Sequence, residues 1–305
     1  MPVTMNLRQI EVFRAVMVTG SVSGAARLLA VSQPAISRLL AYTEDRLGLA
    51  LFERVKGRVQ PTPEARRLFA EVDLVHQGVV RVNELADELR HGGTGSVRMV
   101  ASPSVGHVLV PKAIARFRAR YPEVRIELEI LTLSELIAKV GSNRVDLAVT
   151  SIAVDEPTVT SESIGEGRLQ VVFPADHPLG GKRVIKPSDL AAYPIISYGP
   201  QTPYGMIVSR VLSTTTRPIR VNTQVRFTPN ACSLVQAGAG IAIVDDFVLM
   251  DAAWPNIQSR PLVPKTTTRV HLLTARVEPL SRVARAFVGY LKDLLAESSM
   301  AVGSP

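Results

Sequence analysis

The stretch from Ser21 to Leu47, SVSGAARLLAVSQPAISRLLAYTEDRL, constrains the fold of this chain more than any other. Its pattern predicts two short helices joined by a tight turn. Ala25, Ala26 and Leu29 give the first helix a small face that allows close packing. The second helix carries an apolar stripe at helical spacing, formed by Ile36, Leu39, Leu40 and Leu47.

Serine residues stand where helix caps are expected. Ser21 or Ser23 is predicted to cap the first helix, and Ser32 the second, because a serine hydroxyl accepts a hydrogen bond from an unpaired amide of the first turn. Pro34 falls in the first turn of the second helix, where the missing amide costs little. The pattern therefore fixes where the second helix begins.

The outward face of the second helix starts with Gln33, Ser37 and Arg38. A helix that presents Gln, Ser and Arg at its amino-terminal end, supported by an alanine-rich helix, suits the major groove of DNA. Periodicity alone fits equally well a helical hairpin in the core of any globular protein.

The identities of the residues in the motif are more informative about function than their periodicity. S-Q-P-A-I-S-R follows A-A-x-x-L and precedes E-x-x-L-G-x-x-L-F-E-R, which ends at Arg54. This signature closely resembles the DNA-binding domain of LysR-type transcriptional regulators. The opening LRQIEVFRAVMVTGS is most similar to the regulators of opine and amino-acid catabolism within that family. Details after residue 96, such as VQAGAGIA at 235–242, extend the resemblance loosely over nearly the whole chain.

The composition fits such a protein. The chain has 305 residues, a hydrophobic fraction of 46% and no apolar run long enough to span a membrane. A single cysteine, Cys232, and an amino terminus without a signal-peptide pattern predict a cytoplasmic protein. The net charge of +8 suggests a polyanionic partner, and the basic excess is densest in residues 1–67, with 10 Lys or Arg against 5 Asp or Glu.

The segments around the helix pair complete a DNA-binding module. Residues 7–19 predict a first helix, with Leu7, Ile10, Phe13, Ala15, Val16 and Met17 on its buried side. Residues 53–61, ERVKGRVQP, predict a β-wing whose basic residues point toward the phosphate backbone or a minor groove. The simpler interpretation of that segment is a solvated basic loop. The predicted DNA-binding residues are Ser21, Ser23, Ser32, Gln33, Pro34, Ser37, Arg38, Arg54, Lys56 and Arg58.

A long helix follows, starting after Thr62 with Pro63 in its first turn. Its apolar positions are separated by alternating steps of four and three residues, which is a heptad seam: Leu68, Val72, Val75, Val79, Val82, Ala86 and Leu89. The seam predicts a homodimer that places two reading helices on a two-fold-symmetric DNA site. The alternative is packing against the core of the same chain.

Strands and helices alternate after a glycine-rich break at 91–96, interpreted as a hinge. This alternation predicts an α/β domain with a parallel sheet. Two crossings between lobes give the plan of periplasmic solute-binding proteins, which the LysR-type resemblance also implies. The predicted fold class is therefore α/β with an N-terminal winged helix-turn-helix (1–62), a long linker helix (63–91) and a two-lobed effector domain (96–300). Lobe I comprises about 96–168 and 270–297, and lobe II about 169–269.

The sequence offers no catalytic constellation. Its five histidines are scattered, and neither a metal-ligand spacing nor a Gly-x-Ser-x-Gly elbow occurs. Cys232 is expected to be a buried small residue, and Asp146 to be structural. We therefore predict no enzyme activity, no metal and no cofactor.

A ligand cleft is better supported, because ligands of open α/β sheets lie beyond the carboxyl ends of strands. Polar residues follow several predicted strands, although each one alone is more often a helix cap. Asp245 and Asp246 stand where a proline is common in the family, and an acidic pair there favours a cationic or amino-bearing ligand. The predicted effector-binding residues are Ser102, Ser104, Thr132, Thr150, Thr202, Tyr204, Thr228 and Asp245.

Together these features predict a transcriptional regulator whose DNA binding responds to a small molecule. Its expected partners are promoter DNA, a small-molecule effector and further copies of the chain, as a dimer that pairs into a tetramer. Two alternatives remain at this point. One is a solute-binding or enzymatic α/β protein with an incidental helical amino terminus, and the other is an architectural DNA-binding protein.

Overall fold

A computed structural model of the chain describes residues 5–55, 58–90, 95–215, 219–276 and 279–302. The chain divides into two compact units, Met1–Gly93 and Thr94–Pro305. The predicted hinge falls largely on residues 91–94, which lie outside the described residues. No described helix combines the length and the apolar character that crossing a bilayer requires.

The first unit contains four helices and a two-stranded antiparallel wing among its described residues. The observed bounds of the first helix agree with the predicted ones, and Gly20 ends it at a φ of +65°. The elements are α1 (Leu7–Thr19), α2 (Val22–Leu28), α3 (Gln33–Leu47), β1 (Phe52–Val55), β2 (Arg58–Pro61) and α4 (Pro63–Arg90).

The core of this unit forms where α1 crosses α2 and α3. Val12 and Val16 of α1 pack with Ala25 and Ile36, all of them buried. The prediction that Leu7 is buried is wrong, since its exposed fraction is 65%. Two residues correspond to a rotation of about 200° around a helix, so Leu7 points away from the face on which Gln9 is buried.

The long helix α4 begins inside this core and then leaves it. Leu68 and Val72 pack beside Phe13, so the amino-terminal end of the predicted seam belongs to the chain's own core. Further along the seam, Val75, Val79 and Val82 are exposed by 42%, 43% and 67%. The amino-terminal part of the seam thus packs within the chain's own unit, and dimerisation through the exposed valines stays a prediction.

The second unit is built on one mixed sheet with helices packed against it. Three short 3₁₀ turns, at Pro178–Gly181, Pro187–Ala192 and Asp246–Ala252, join some of its elements. In chain order the elements are β3 (Ser96–Ala101), α5 (Pro103–His107), α6 (Leu109–Arg120), β4 (Arg125–Ile130), α7 (Leu133–Gly141), β5 (Leu147–Thr150), β6 (Val159–Pro174), β7 (Ile195–Tyr198), α8 (Pro203–Leu212), β8 (Val221–Val225), α9 (Thr228–Gln236), β9 (Ile241–Asp245), β10 (Ile257–Pro261), β11 (Thr267–Ala275) and α10 (Arg282–Val302).

The alternating pattern predicted a parallel sheet. The observed sheet is mixed, so this prediction is only partly right. Strand β3 pairs in parallel with β4 and β5, and β7 pairs in parallel with β8 and β9. Strand β11 runs antiparallel to β5 and β6, and β6 runs antiparallel to β9 and β10. Parallel neighbours require a helical crossover, and the two parallel groups are joined by such crossovers: α5, α6 and α7 link β3, β4 and β5, and α8 and α9 link β7, β8 and β9.

The strand β6 is shared by the two lobes. Its first part, Val159–Arg168, pairs with β11, and its last part, from Leu169 onward, pairs with β9 and β10. Separate buried clusters lie on the two sides of this crossing, one around Phe117 and Phe287 and one around Phe173 and Ile243. The crossing fixes the edge along which the carboxyl ends of the strands of both lobes meet.

Candidate nucleic-acid interface and ligand cavity

Packing of α3 decides which of its side chains face outward. Ile36 and Leu40 are buried, so the helix is fixed in rotation. Gln33, Ser37 and Arg38 lie on the opposite, exposed side in the first turns. Pro34 is also exposed at the amino-terminal end. The predicted base-reading residues therefore share one accessible face.

The serine residues before the two helices behave differently from each other. Ser21 caps α2, with its Oγ accepting a hydrogen bond from the amide of Gly24 at 3.0 Å. Ser32 is the residue before α3, but its hydroxyl accepts no hydrogen bond from that helix, so its predicted capping role is wrong. Pro34 already removes one amide from the first turn, which reduces the need for a cap. Ser23 and Ser32 are both exposed.

The wing has the predicted strands. Arg54 and Arg58 lie on paired strands, with Arg54 opposite Val59 and Arg58 opposite Val55. Lys56, at the predicted turn, lies outside the described residues. The structure thus places the backbone of two of the three predicted basic residues on the wing.

The second unit contains a cavity of about 380 Å³ at the carboxyl ends of the strands. A volume of this order fits a small metabolite. Seven of the eight predicted effector-binding residues line it, from elements of both lobes: Ser102, Ser104, Thr132, Thr150, Thr202, Tyr204 and Thr228. The rule that ligands lie beyond strand ends therefore located the cavity correctly.

Asp245 is the predicted residue that does not line this cavity. It is completely buried at the end of β9, behind the wall to which Ser104 belongs. Its carboxylate accepts a hydrogen bond from Ser104 Oγ and one from the amide of Val248 at 3.3 Å. Since an aspartate at this position caps the following turn, its side chain is directed inward rather than toward the cavity.

Asp246 does not line the cavity either, so the prediction that it faces a cationic ligand is not supported. Its two carboxylate oxygens accept hydrogen bonds from the amide of Arg168, each at 3.1 Å. Burial raises the pKa of both neighbouring carboxyl groups to about 6. The acidic pair is thus part of the structure around the lobe crossing.

Other residues that line the cavity were not predicted from the sequence. Arg226 and Phe227 follow β8 directly, and Ile137 and Ile152 contribute apolar surface. The position of Arg226 after a strand end was the available signal, but an exposed arginine before a helix is common. The apolar residues carry no signal that separates cavity lining from core.

The structural interpretations of Asp146 and Cys232 are confirmed. Asp146 accepts a hydrogen bond from the amide of Arg98 at 2.7 Å, which joins two neighbouring strands. Cys232 is fully buried, and burial raises the pKa of its thiol to about 12. Within the described ranges, no group of His, Cys, Asp and Glu side chains is arranged to hold a metal ion.

The chain matches two known families. Residues 7–66 match the family described as "Bacterial regulatory helix-turn-helix protein, lysR family". Residues 90–296, more than half of the chain, match "LysR substrate binding domain". The chain belongs to the LysR family. It is therefore a transcriptional regulator and not an enzyme, which decides against a solute-binding or catalytic protein with an incidental helical amino terminus.

Individual LysR-family relatives extend over most of the chain. The Escherichia coli "Transcriptional activator protein LysR" is 32% identical and covers 94% of this chain and 92% of its own length. The Rhizobium meliloti "Octopine catabolism/uptake operon regulatory protein OccR" is 35% identical over 79% of this chain and 80% of its own length. The second name agrees with the predicted resemblance to regulators of opine catabolism.

A solved LysR-family structure has the same fold. The crystal structure of full-length CbnR complexed with its target DNA has a TM-score of 0.74 and 20% identity to this chain. It covers 95% of this chain and all of that one. The predicted combination of a helix-turn-helix module and a two-lobed α/β domain is thus confirmed as the fold.

Proposed function

We propose that this LysR-family regulator reads its operator with the exposed amino-terminal face of α3. Gln33, Pro34, Ser37 and Arg38 contact base edges in the major groove. The observation that carries this proposal is the burial of Ile36 and Leu40, which turns those four side chains outward. Phosphate contacts come from Ser21, Ser23, Ser32, Arg54, Lys56 and Arg58.

The functional form is a homodimer, and dimers pair into tetramers. Exposed Val75, Val79 and Val82 on α4 support this proposal, because an apolar stripe on a long helix is stabilised by a second helix. A dimer would also match a two-fold-symmetric operator. We divide the chain into a DNA-binding domain at 1–62, the linker helix at 63–91 and the effector domain at 96–300, with lobe II at about 169–269. A chromosomal operator places the protein in the cytoplasm.

A small-molecule effector occupies the cavity at the strand ends. The cavity is lined from both lobes, so a ligand there can favour one lobe packing over another. A changed packing then alters the geometry in which the DNA-reading modules are held. The octopine relative supports an effector that is an amino acid or an opine.

Operator selection from random DNA, followed by gel-shift titration, tests the DNA-reading face. We expect the Arg38→Ala variant to lose about 1–3 kcal/mol of affinity for the selected site and little affinity for random DNA. Arg46→Ala is the matched control, since Arg46 is exposed on the same helix at its other end. Equal losses on both DNAs would show that Arg38 contacts phosphate instead. Failure of the intact dimer to select any site would refute the proposed function.

A further inference from the structure

A buried carboxylate without a cationic partner lies behind one wall of the cavity. Asp245 has no exposed surface, and its carboxylate accepts hydrogen bonds from the hydroxyl of Ser104 and the amide of Val248. The Tyr204 hydroxyl also lies near it and lowers its pKa. No Lys, Arg or His of the described residues forms an ion pair with it. A charge in such a site is costly unless an opposite charge comes near.

Asp245 also fixes the hydrogen-bonding character of the wall. Ser104 Oγ lies 2.5 Å from both carboxylate oxygens of Asp245. A serine hydroxyl has one proton and two lone pairs, and an ionised carboxylate only accepts. Ser104 therefore gives its proton to Asp245 and can act toward a ligand only as an acceptor.

Neighbouring hydroxyl groups have the opposite character. Ser102 Oγ accepts a hydrogen bond from the amide of Ser151 at 3.3 Å, and Thr150 Oγ1 accepts one from the amide of Ile152 at 3.2 Å. Both hydroxyls accept from the backbone and keep their own protons for donation. The cavity thus has an accepting wall at Ser104 and donating groups at the ends of β3 and β5.

The charged groups around the cavity also differ between its two sides. Arg226 is the charged side chain among the lining residues, and it is exposed. Its guanidinium offers donors to a carboxylate. Asp245 supplies the negative charge from behind Ser104. A ligand that carries both a positive nitrogen and a carboxylate complements both.

We propose that Asp245, acting through Ser104, makes this cavity selective for zwitterions, with the cationic nitrogen at Ser104 and the carboxylate toward Arg226. The inference rests on the proposed function, since it specifies the ligand of the same cavity. Asp245 is a positioning residue here, because it orients the Ser104 hydroxyl and does not contact the ligand.

Equilibrium dialysis against matched sets of compounds tests the inference. Each set holds a zwitterion, the acid without the amino group and the amine without the carboxylate: L-norleucine, hexanoate and pentylamine, or L-phenylalanine, 3-phenylpropionate and phenethylamine. Octopine and L-arginine complete the mixture, and mass spectrometry measures what the full-length protein retains. We expect retained compounds to be zwitterions, favoured at least tenfold over the corresponding acid and amine.

Three variants distinguish a specific role of Asp245 in ligand selectivity from a general loss of structure. Asp245→Asn removes the charge at nearly constant shape, and we expect zwitterion retention to fall at least tenfold. Ser104→Ala removes the accepting hydroxyl and should have the same direction of effect. Asp246→Asn is the matched control, because that carboxylate is bonded to the Arg168 amide and not to Ser104.

The opposite results would overturn the inference. They are equal retention of acids and zwitterions, retention of no compound, or an Asp245→Asn variant that binds zwitterions as tightly as the original. Gel shifts on the selected operator are run with the same preparations. Intact DNA binding with failed zwitterion selectivity rejects this inference alone, whereas loss of both rejects the proposed function as well.

Discussion

At the scale of single residues, Glu44 connects α3 to the wing. Its Oε1 accepts hydrogen bonds from the amides of Leu51 at 2.7 Å and Phe52 at 3.0 Å. Leu51 is fully buried at this point, where the chain turns from α3 into β1. One carboxylate oxygen thus accepts hydrogen bonds from two amides, one just before β1 and one at its first residue.

We expect Glu44→Ala to lower the free energy of unfolding by roughly 1.5–3 kcal/mol, because hydrogen bonds to a charged group are lost and two amides are left without an acceptor. Urea denaturation of the full-length chain measures this change. Glu53→Ala is the control, since Glu53 is exposed on β1 and should shift stability by less than about 0.5 kcal/mol. Equal effects of the two substitutions would contradict the assigned role of Glu44.

Asp245 affects stability as well as ligand choice. Burial raises its pKa from 3.8 to about 6, so the folded protein binds more protons than the unfolded chain between these values. The free energy of unfolding therefore falls as the pH rises from about 4 to about 6. A shift of roughly two units corresponds to about 3 kcal/mol at most.

Asp245→Asn removes that penalty, so its stability relative to the original protein should be greater at pH 7.5 than at pH 4. Thermal unfolding at the two pH values measures the difference. Asp246 contributes a similar pH dependence in both proteins, and only the part that arises from its repulsion with Asp245 differs between them. A relative stability that does not change with pH would show that folding does not raise the pKa of Asp245.

The sequence predicts which residues lie near the cavity, but it does not predict where every side chain points. The strand-end rule located Ser104 and Thr228 at the cavity because it depends only on the order of strands and helices. The same rule misplaced Asp245, since the direction of a side chain depends on the turn that follows it. The predicted cap at Ser32 is wrong for a similar reason, because a position before a helix does not determine the direction of the serine hydroxyl.

At the scale of elements, α4 changes its role along its length. The helix is anchored near its middle by an ion pair between Arg14 Nε and Asp73 Oδ1 at 3.0 Å. Beyond that point the seam carries exposed valines. A heptad pattern alone does not separate these parts, because packing against the chain's own core and against a second copy follows the same spacing.

We expect Val79→Glu to convert the dimer into a monomer, because it places a charge in the middle of the exposed apolar seam. Light scattering coupled to size-exclusion chromatography measures the mass, and gel shifts should show a parallel loss of operator affinity. Asn83→Glu adds the same charge outside the seam and should leave the dimer intact. If the Val79 variant remained dimeric, the seam would not be the interface.

Among the strands, the segments RIELEI (125–130) and VNTQV (221–225) predict strands from their sequence, and they coincide with β4 and β8. The first part of β6 and all of β10 were not predicted. Residues 160–168, TSESIGEGR, contain polar side chains and two glycines, and they form a strand because β11 pairs alongside them. Pairing between segments about 100 residues apart leaves little local signal in either one.

At the scale of the whole molecule, the order of modules could be predicted and the pairing within the sheet could not. The excess of basic residues before position 68 lies in the same unit as the exposed face of α3. The cavity lies in the other unit, among elements drawn from both lobes. Reading DNA and sensing a metabolite are thus assigned to separate compact parts of the chain.

The strand that both lobes share has a mechanical consequence. Because β6 is hydrogen-bonded along its length, first to β11 and then to β9 and β10, it behaves as a continuous ribbon and not as a loose tether. Paired strands are naturally twisted, and the angle between neighbours varies over a wide range, so a change in twist is a deformation that β6 can accommodate while it stays paired. A bound metabolite would therefore be reported as a small twist between the lobes, and the stiffness of both crossings, β6 and the segment from β10 to β11, would set the size of that signal.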